Sequence, residues 1–547
     1  MPRLAWIVEL DDHDLRMSVR ALRARLVAAG YGTAEPGDAD VVLVWADHAL
    51  SPEQVAIVAD PGARVLLAGP NLLDADPERV LAEASGVYVA GRTPIHDIRV
   101  RGRSDGTPSL SGHEHAGDDH LGRHDHVEDR VTLIDKTADD VEVLRSAQVG
   151  LAVHPVTTWR GRTGTGVVTL GTHPGSVGDR VTLHAVLELV HRASGEPAPA
   201  AVRVGLLGYG AIGHEHSRAV RAVDGLTLTA VCDSAAARRE AAEVAARGVA
   251  TTAAADALIA RDDVDLVVVS TPPSTHADWA LRALRAGKHV VVEKPFAIRT
   301  DEADTVLAEA GDQGLLAVVY QNRRFDSDHL AVRRAVESGA IGEVFHIETF
   351  VGGYDHPCNL WHSDEAVSGG AFYDWGSHVL DQILDIVPTE IEHVTAATHK
   401  RRWFDVTNAD HSRVTIRFVD GTEAEFVHSD LAAALKPRWY VLGTRGAIVG
   451  RWRTEKIVSR NDIGTLVEDV LAPADSPPLL ELHGSDGSLT QLATPAAAPY
   501  SFHRELSDHV RVGLPMSVTG PQSRRVLAVM EAATLSAEES GRPVVPR

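Results

Sequence analysis

Cysteine is nearly absent from this chain: Cys232 and Cys358 are the two in 547 residues. Two cysteines supply no disulfide framework, and a reducing cytoplasm is the expected compartment. Long apolar runs are missing too. None approaches the roughly 18 residues a membrane helix needs, so a soluble protein without a membrane span is expected. The opening Met1-Pro-Arg-Leu-Ala-Trp-Ile-Val-Glu-Leu-Asp-Asp has too short an apolar stretch for a secretion signal and turns acidic at once, which reads as a first β-strand. Positive charge is in deficit: 53 Lys and Arg face 76 Asp and Glu, a formal net charge of −23. Such a balance argues against nucleic acid as a partner. What remains is a chain with a 44% hydrophobic content, long enough for about three domains.

The most informative stretch is Val202-Arg-Val-Gly-Leu-Leu-Gly208-Tyr-Gly210-Ala-Ile-Gly213-His-Glu-His216. A short apolar run predicts a buried strand, three glycines predict a tight turn, and helical spacing follows through Ala219, Val220 and Val223. This is the order of a dinucleotide fingerprint. One glycine makes the turn, the next lets backbone amides approach a pyrophosphate, and the third lets helix and strand pack closely. The helix N-terminus favours the anion. A second strand, Leu226 to Cys232, ends in Asp233, where an acidic side chain meets the adenosine ribose hydroxyls.

Ahead of this stretch, residues 1–195 form a separate α/β unit, with strand-like runs at Leu4–Val8, Val41–Trp45, Arg64–Ala68, Val149–Val153 and Gly166–Leu170. Helical patterns at Ser18–Ala29 and Leu183–Arg192 alternate with them, as in an open parallel sheet. Within it, Gly112-His113-Glu-His115-Ala-Gly-Asp118-Asp119-His120-Leu-Gly-Arg-His124-Asp125-His126 has ligand types that suit Zn²⁺. Its spacing matches no closed tetrahedral site, a solvated acidic loop is the plainer reading, and no metal is assigned. Residues 196–201 are a Pro-rich linker.

From Val202 a βαβ pattern repeats, with runs at Leu266–Ser270, His289–Val292 and Leu315–Tyr320. Polar residues close each: Thr271-Pro272-Pro273-Ser-Thr-His276, Glu293-Lys294-Pro295 and Gln321-Asn322-Arg323-Arg324-Phe325. Ligands bind at that edge of open α/β sheets. Residues 202–325 are therefore expected to form a Rossmann doubly wound parallel sheet. Residues 326–547 are expected to form an α+β domain with a mainly antiparallel open sheet. Its signals are a helix at Asp328–Ser338 and strands at Val344–Gly352, Val394–Thr398, Ser412–Phe418, Thr422–His428 and Arg438–Gly443. A last helix, Gln522–Glu539, closes the chain.

The order G-x-G-x-x-G, acidic residue, T-P-P-x-x-H, E-K-P and then Gly369-Gly370-Ala-Phe-Tyr-Asp374-Trp-Gly-Ser-His378 resembles the glucose–fructose oxidoreductase/inositol dehydrogenase (Gfo/Idh/MocA) family over residues 202–547. Gln321-Asn-Arg-Arg-Phe325-Asp326 looks like the branch that contains scyllo-inositol dehydrogenases. The resemblance implies a sugar or polyol oxidoreductase with a tightly held nicotinamide cofactor and a homo-oligomer, dimer or tetramer, built on the open sheet. It implies catalytic roles for Lys294, Asp374 and His378. The front unit closes on Gly164-Thr-Gly-Val-Val-Thr-Leu-Gly171-Thr-His173 and resembles ThuA-like domains, which are flavodoxin-like and related to class I glutamine amidotransferases. No nucleophilic cysteine is present there, so amidotransferase chemistry is unsupported. The unit is expected to bind a related carbohydrate or to offer an assembly surface.

Oxidising a secondary alcohol needs a hydride acceptor and a base. Asp374 and His378, four apart, share one face if both are helical. His378, with an ordinary pKa near neutrality, is the better base. Asp374 binds a substrate hydroxyl or orients the imidazole, and Lys294 stabilises alkoxide character on the reacting oxygen. The cofactor set is Gly208, Gly210, Ala211, Ile212, Gly213 and Asp233, then Thr271, Pro272, His276, Glu293, Lys294 and Gln321. Glu293 reads equally as a cofactor partner or a strand-end charge, and His276 as a helix-start residue beside the cofactor. Arg323, Tyr354 and Trp361 join Lys294, Asp374 and His378 as substrate residues, with His356 and His362 on the same loop. His214 and His216 read as surface or site-edge residues. Asp233 favours NAD over NADP, while Arg238 and Arg239 keep NADP open. Two rivals share these motifs: a redox-neutral hydrolase or lyase that returns the hydride, and a non-catalytic sensor.

Overall fold

A computed structural model describes the chain outside residues 1, 10–18, 21, 25, 28–29, 47–49, 61–62, 69–84, 86, 93–95, 103–123, 130–131, 137–138, 150–151, 169–176, 196–199, 224, 358–360, 452–453, 462–463, 472–478 and 495–499. It divides into two units, one of residues 1–200 with 508–515 and one of residues 201–507 with 516–547. Most of the histidine-rich stretch, the Gly171-Thr-His173 segment and most of the linker lie outside the described residues. His124–Asp129 is a strand.

In the first unit, Val41–Ala46 is an unbroken apolar run, and Val41 through Trp45 are all at most 3% exposed. A strand buried on both faces reads this way in a parallel sheet. Five parallel strands stand in the order Gly32–Thr33, Arg3–Glu9, Val41–Ala46, Val65–Ala68, Thr165–Val168. Numbered along the chain this is 2-1-3-4-5, the flavodoxin-like order. Four antiparallel strands extend the sheet: Ala152–Arg160, Val141–Val149, His96–Gly102 and His124–Asp129. The expected strand at Val149–Val153 is corrected here. Val149 ends one strand and Ala152 begins the next, paired to it, so that apolar run spans a reversal rather than one element.

The second unit carries a six-stranded parallel sheet ordered Ala250–Thr252, Leu226–Cys232, Val202–Leu207, Leu266–Val269, His289–Val292, Ala317–Val319. The order 3-2-1-4-5-6 is the Rossmann one, and its topological switch lies between Val202–Leu207 and Leu266–Val269. The three-residue strand at Ala250 is too short and polar to announce itself in the sequence. An eight-stranded sheet follows, antiparallel except where Val344–Gly352 runs parallel to Glu423–Ser429. The helices Trp375–Ile386 and Gly520–Glu538 bury Val379, Leu380, Ile383, Val529 and Met530 against Val394, Ile416 and Phe426 of that sheet. One apolar core runs through both sheets of this unit.

A buried cation ties the two layers. Arg324, just past the last Rossmann strand, is 2% exposed. Its Nε and Nη2 donate to Asp381 at 2.8 and 2.5 Å. Its Nη1 donates to Asp385 at 3.1 Å and to the Ser517 carbonyl at 3.0 Å. Asp381 and Asp385 belong to the Trp375–Ile386 helix, so this guanidinium sets where that helix begins. Arg324→Met should destabilise the unit by about 3–5 kcal/mol, because the buried Asp381 loses its counter-ion. Urea unfolding followed by tryptophan fluorescence measures this, and a loss below about 1 kcal/mol would show that the clamp carries little stability.

Candidate active site

The fingerprint turn is built by steric need. Gly208 has φ +99°, and a Cβ there would collide with the Ser270 carbonyl oxygen. A Cβ at Gly213 would stand 2.5 Å from the Gly208 carbonyl oxygen. Gly210 is different: nothing lies within 4 Å of where its Cβ would be. It is the residue before the helix Ala211–Ala222, whose N-terminus no side chain caps. Helix-start amides at Ala211 and Ile212, without a side-chain cap among the described residues, are what a pyrophosphate requires. Gln321 adds a buried side-chain oxygen with no partner among the described residues. These observations fit a bound dinucleotide.

Asp233 closes the far side and is 7% exposed. Its carboxylate accepts from the Tyr209 and Ala235 amides, each at 2.9 Å, and Arg238 stands 3.4 Å away. Two other members of the expected cofactor set face inward instead. His276 is fully buried, its nitrogens 2.8 Å from the Pro295 and Thr271 carbonyl oxygens. It holds the Thr271-Pro272 turn to the Lys294-Pro295 turn, whose peptide bond is cis, and offers no free atom to a ligand. Glu293 is 6% exposed. Its carboxylate is engaged by His216 and by the Lys294 amide, at 2.8 and 3.1 Å. His216, expected at the surface or the site edge, is fully buried. His214 lies partly buried with its ring 4.2 Å from that of Tyr209.

Lys294 extends from the strand end and donates from Nζ to Asp374 Oδ1 at 2.6 Å. Both side chains stay partly open, 21% and 44% exposed. Asp374 is not on the helix: it precedes Trp375–Ile386 with φ −79° and ψ −85°. Its side chain therefore leaves the helix end uncapped and turns to Lys294. Surrounding protein pushes the Asp374 carboxyl up, but the Lys294 ammonium outweighs it and holds the group well below the usual carboxylate range. His378 is 8% exposed, and its Nδ1 has no partner among the described residues. Burial first, then the charges of Lys294 and Arg323, drive its pKa well below 6.5. This environment disfavours the imidazolium form of His378.

Arg323 sits over the Trp375 ring at 4.7 Å and pairs with Asp326 at 3.3 Å. His362, expected on the loop of the substrate residues, feels the Lys294–Asp374 pair: burial lowers its pKa, and the charges of Asp374 and Lys294 act on it. Its ring stacks on Trp361 at 3.6 Å, and Asn408 donates to its carbonyl at 2.8 Å. Tyr354 lies further out, 49% exposed, with Arg402 over its ring at 5.5 Å. Among the described residues no group of His, Cys, Asp or Glu is placed to hold a metal. No helix among them is long and apolar enough to cross a membrane.

A Rossmann sheet with this fingerprint and a lysine–carboxylate pair beside a neutral histidine defines a nicotinamide-dependent oxidoreductase. Comparison with known proteins gives the family. Residues 202–321 match the oxidoreductase family with an NAD-binding Rossmann fold, and residues 329–449 match the GFO/IDH/MocA C-terminal domain. Inositol 2-dehydrogenase of Rhizobium meliloti (strain 1021) is 32% identical over 251 residues, 45% of this chain and 74% of that protein. The scyllo-inositol 2-dehydrogenase (NADP(+)) IolW of Bacillus subtilis (strain 168) is 26% identical over 281 residues, 50% of this chain and 77% of that protein. Three further oxidoreductases are matched over about half their length, 54–55%. A solved NAD-binding protein from Listeria innocua aligns with a TM-score of 0.53 at 28% identity, over 63% of this chain and 96% of that one. The chain belongs to the GFO/IDH/MocA family and is an NAD(P)-dependent oxidoreductase.

The glycines make a sharp test of the cofactor seat. Gly210→Ala should leave the melting temperature unchanged, since its Cβ meets nothing, yet raise the NADH dissociation constant about tenfold by filling the approach to the pyrophosphate. Gly213→Ala should lower both melting temperature and affinity. Fluorescence titration and calorimetry read both; native affinity in Gly210→Ala would move the phosphates elsewhere.

Proposed function

We propose that this enzyme oxidises a secondary hydroxyl of a cyclic polyol or sugar, with NAD preferred as acceptor and Lys294, Asp374 and His378 serving the reacting oxygen. The Lys294–Asp374 pair, 2.6 Å apart at the carboxyl edge of the Rossmann sheet, carries the reading. Relatives named as inositol 2-dehydrogenases support the substrate class. A nicotinamide held in this seat would supply the hydride acceptor for the substrate carbon. His378 takes the hydroxyl proton, for which it must be neutral. Lys294 stabilises negative charge building on that oxygen, and Asp374 fixes the ammonium in place. Gly208, Gly210 and Gly213, the Ala211 and Ile212 amides, Asp233 and Gln321 are the cofactor seat, with Thr271 and Pro272 along its edge. Arg323, Tyr354 and Trp361 stand on the substrate side.

Asp233 supports NAD, because a carboxylate accepts from the ribose 2′-hydroxyl and repels a 2′-phosphate. A second reading, NADP, draws on Arg238 at 3.4 Å from that carboxylate and on the relative named for NADP(+). Asp233→Ala should narrow the NAD:NADP ratio of kcat/KM; an unchanged ratio refutes the assignment.

Lys294→Ala should cut kcat for inositol oxidation by about a hundredfold or more, as removal of an oxyanion-stabilising donor does. NADH absorbance follows the reaction. Product formed without net NADH would establish redox-neutral chemistry instead, and cofactor binding without turnover on any polyol or sugar would establish a sensor.

The pH profile has a definite sign. A protonated imidazole cannot take the hydroxyl proton, so oxidation is lost as pH falls through the His378 pKa. With that pKa pushed well below 6.5, kcat/KM should stay level through neutrality and decline only at lower pH. An acid limb centred at 6.5 or above that vanishes in His378→Asn would contradict this environment.

A further inference from the structure

Three polar side chains lie buried beneath the Glu293-Lys294-Pro295 turn, and the chemistry above uses none of them directly. His216 is fully buried, His503 is 1% exposed and Glu293 is 6% exposed. His216 Nε2 is 2.8 Å from Glu293 Oε1, and His216 Nδ1 is 2.9 Å from His503 Nε2. The Lys294 amide donates to the other Glu293 oxygen at 3.1 Å.

The donors can be ordered. A carboxylate only accepts, so His216 carries its proton on Nε2 and accepts at Nδ1. His503 then donates from Nε2, and its Nδ1 becomes a bare acceptor. That nitrogen has no partner among the described residues, and a buried lone pair is the less costly orphan. The hydrogen bonds therefore run one way, from His503 through His216 to the carboxylate that holds the Lys294 amide. One residue earlier on the same helix, Glu215 accepts from the Tyr320 hydroxyl at 2.7 Å. The second turn of the fingerprint helix thus grips the ends of two neighbouring strands.

We propose that His216, oriented by His503, is a positioning residue that fixes the Lys294 turn at a set distance from the helix carrying the cofactor phosphates. The helix seats one reactant and the turn places the group that meets the other, so the link between them governs their approach. The inference rests on Lys294 serving the reacting oxygen.

His216→Leu should lower kcat about tenfold to a hundredfold, the effect of an ångström-scale misplacement of reacting groups. The KM for polyol should change less than about threefold, since no substrate contact is lost. His216→Gln keeps a donor for Glu293 and an acceptor for His503, and should restore most of the turnover. His503→Leu, further from the helix, should give a smaller loss in the same direction and serves if His216→Leu does not fold. In cofactor-free protein, NMR of isotope-labelled histidine should show His216 as the Nε2–H tautomer. An Nδ1–H tautomer overturns the proposal. So does a lower melting temperature in both variants with native turnover per folded molecule. Lys294→Ala is measured alongside. If it retains turnover, the role of Lys294 falls whatever His216 does. If it is inactive while His216→Leu turns over normally, the positioning role falls alone.

Discussion

The contact on which the site depends is the ion pair between Lys294 and Asp374. It joins the end of a Rossmann strand to the residue before the Trp375–Ile386 helix. Both members are partly exposed, and an accessible ion pair contributes little to stability. The layers are held instead by the buried Arg324 cluster and the shared apolar core. The pair is thus not needed to hold the fold together, and both of its members stay open to the site. It also explains the geometry of Asp374. A residue at that position ordinarily caps its own helix, and here the side chain gives up the cap to reach Lys294.

Electrostatics then fix the division of labour between the two basic side chains. Lys294 is paired with the Asp374 carboxylate at 2.6 Å. His378, packed into the protein and facing the charges of Lys294 and Arg323, is held neutral. The site thus sets a lysine paired to a carboxylate beside a histidine whose cationic form is disfavoured. Burial that shifts a histidine beside an ion pair in this way is a feature of acid–base sites. His362 extends the pattern: it too is a histidine driven towards the neutral form by burial, with Trp361 stacked against it.

The parts of this arrangement legible in the sequence are those whose cause is local. Gly208 and Gly213 announce themselves because no Cβ fits beside Ser270 or the Gly208 carbonyl. The doubly wound sheet reads from strand runs each closed by polar residues, and the spacing of Asp374 and His378 reads directly. What escaped is set by distance along the chain. His216 sits on a helix whose first turn faces a ligand, and its spacing gives no hint that His503, 287 residues on, fills the space beneath it. Glu293 follows a strand and His276 starts a helix, as their spacing indicates, yet their side chains turn into the protein. Strand alternation says which edge of a sheet a residue reaches, not which way a loop turns it. The Val149–Val153 run failed for a related reason: apolar residues persist through a reversal when both flanking strands are in one sheet.

The polar residues of the second unit fall into two sets with different physics. Lys294 and Asp374 are accessible, so water and ligand compete for them and their charges are available to substrate. Glu293, His216, His503 and His276 are sealed in, where a missing partner costs far more than a present one contributes. A fold needing only stability would do as well with apolar side chains of the same volume at those positions. Hydrogen bonds differ from apolar packing in having direction: a methyl group fills space from any angle, whereas an imidazole between a carboxylate and a second imidazole fixes distance and orientation together. Three turns, those at Gly208, Thr271 and Lys294, converge at this edge of the sheet, and a directional contact joins two of them through His276. The buried polar groups thus supply the accuracy that a hydride transfer demands of loops, which apolar contacts alone leave free to slide.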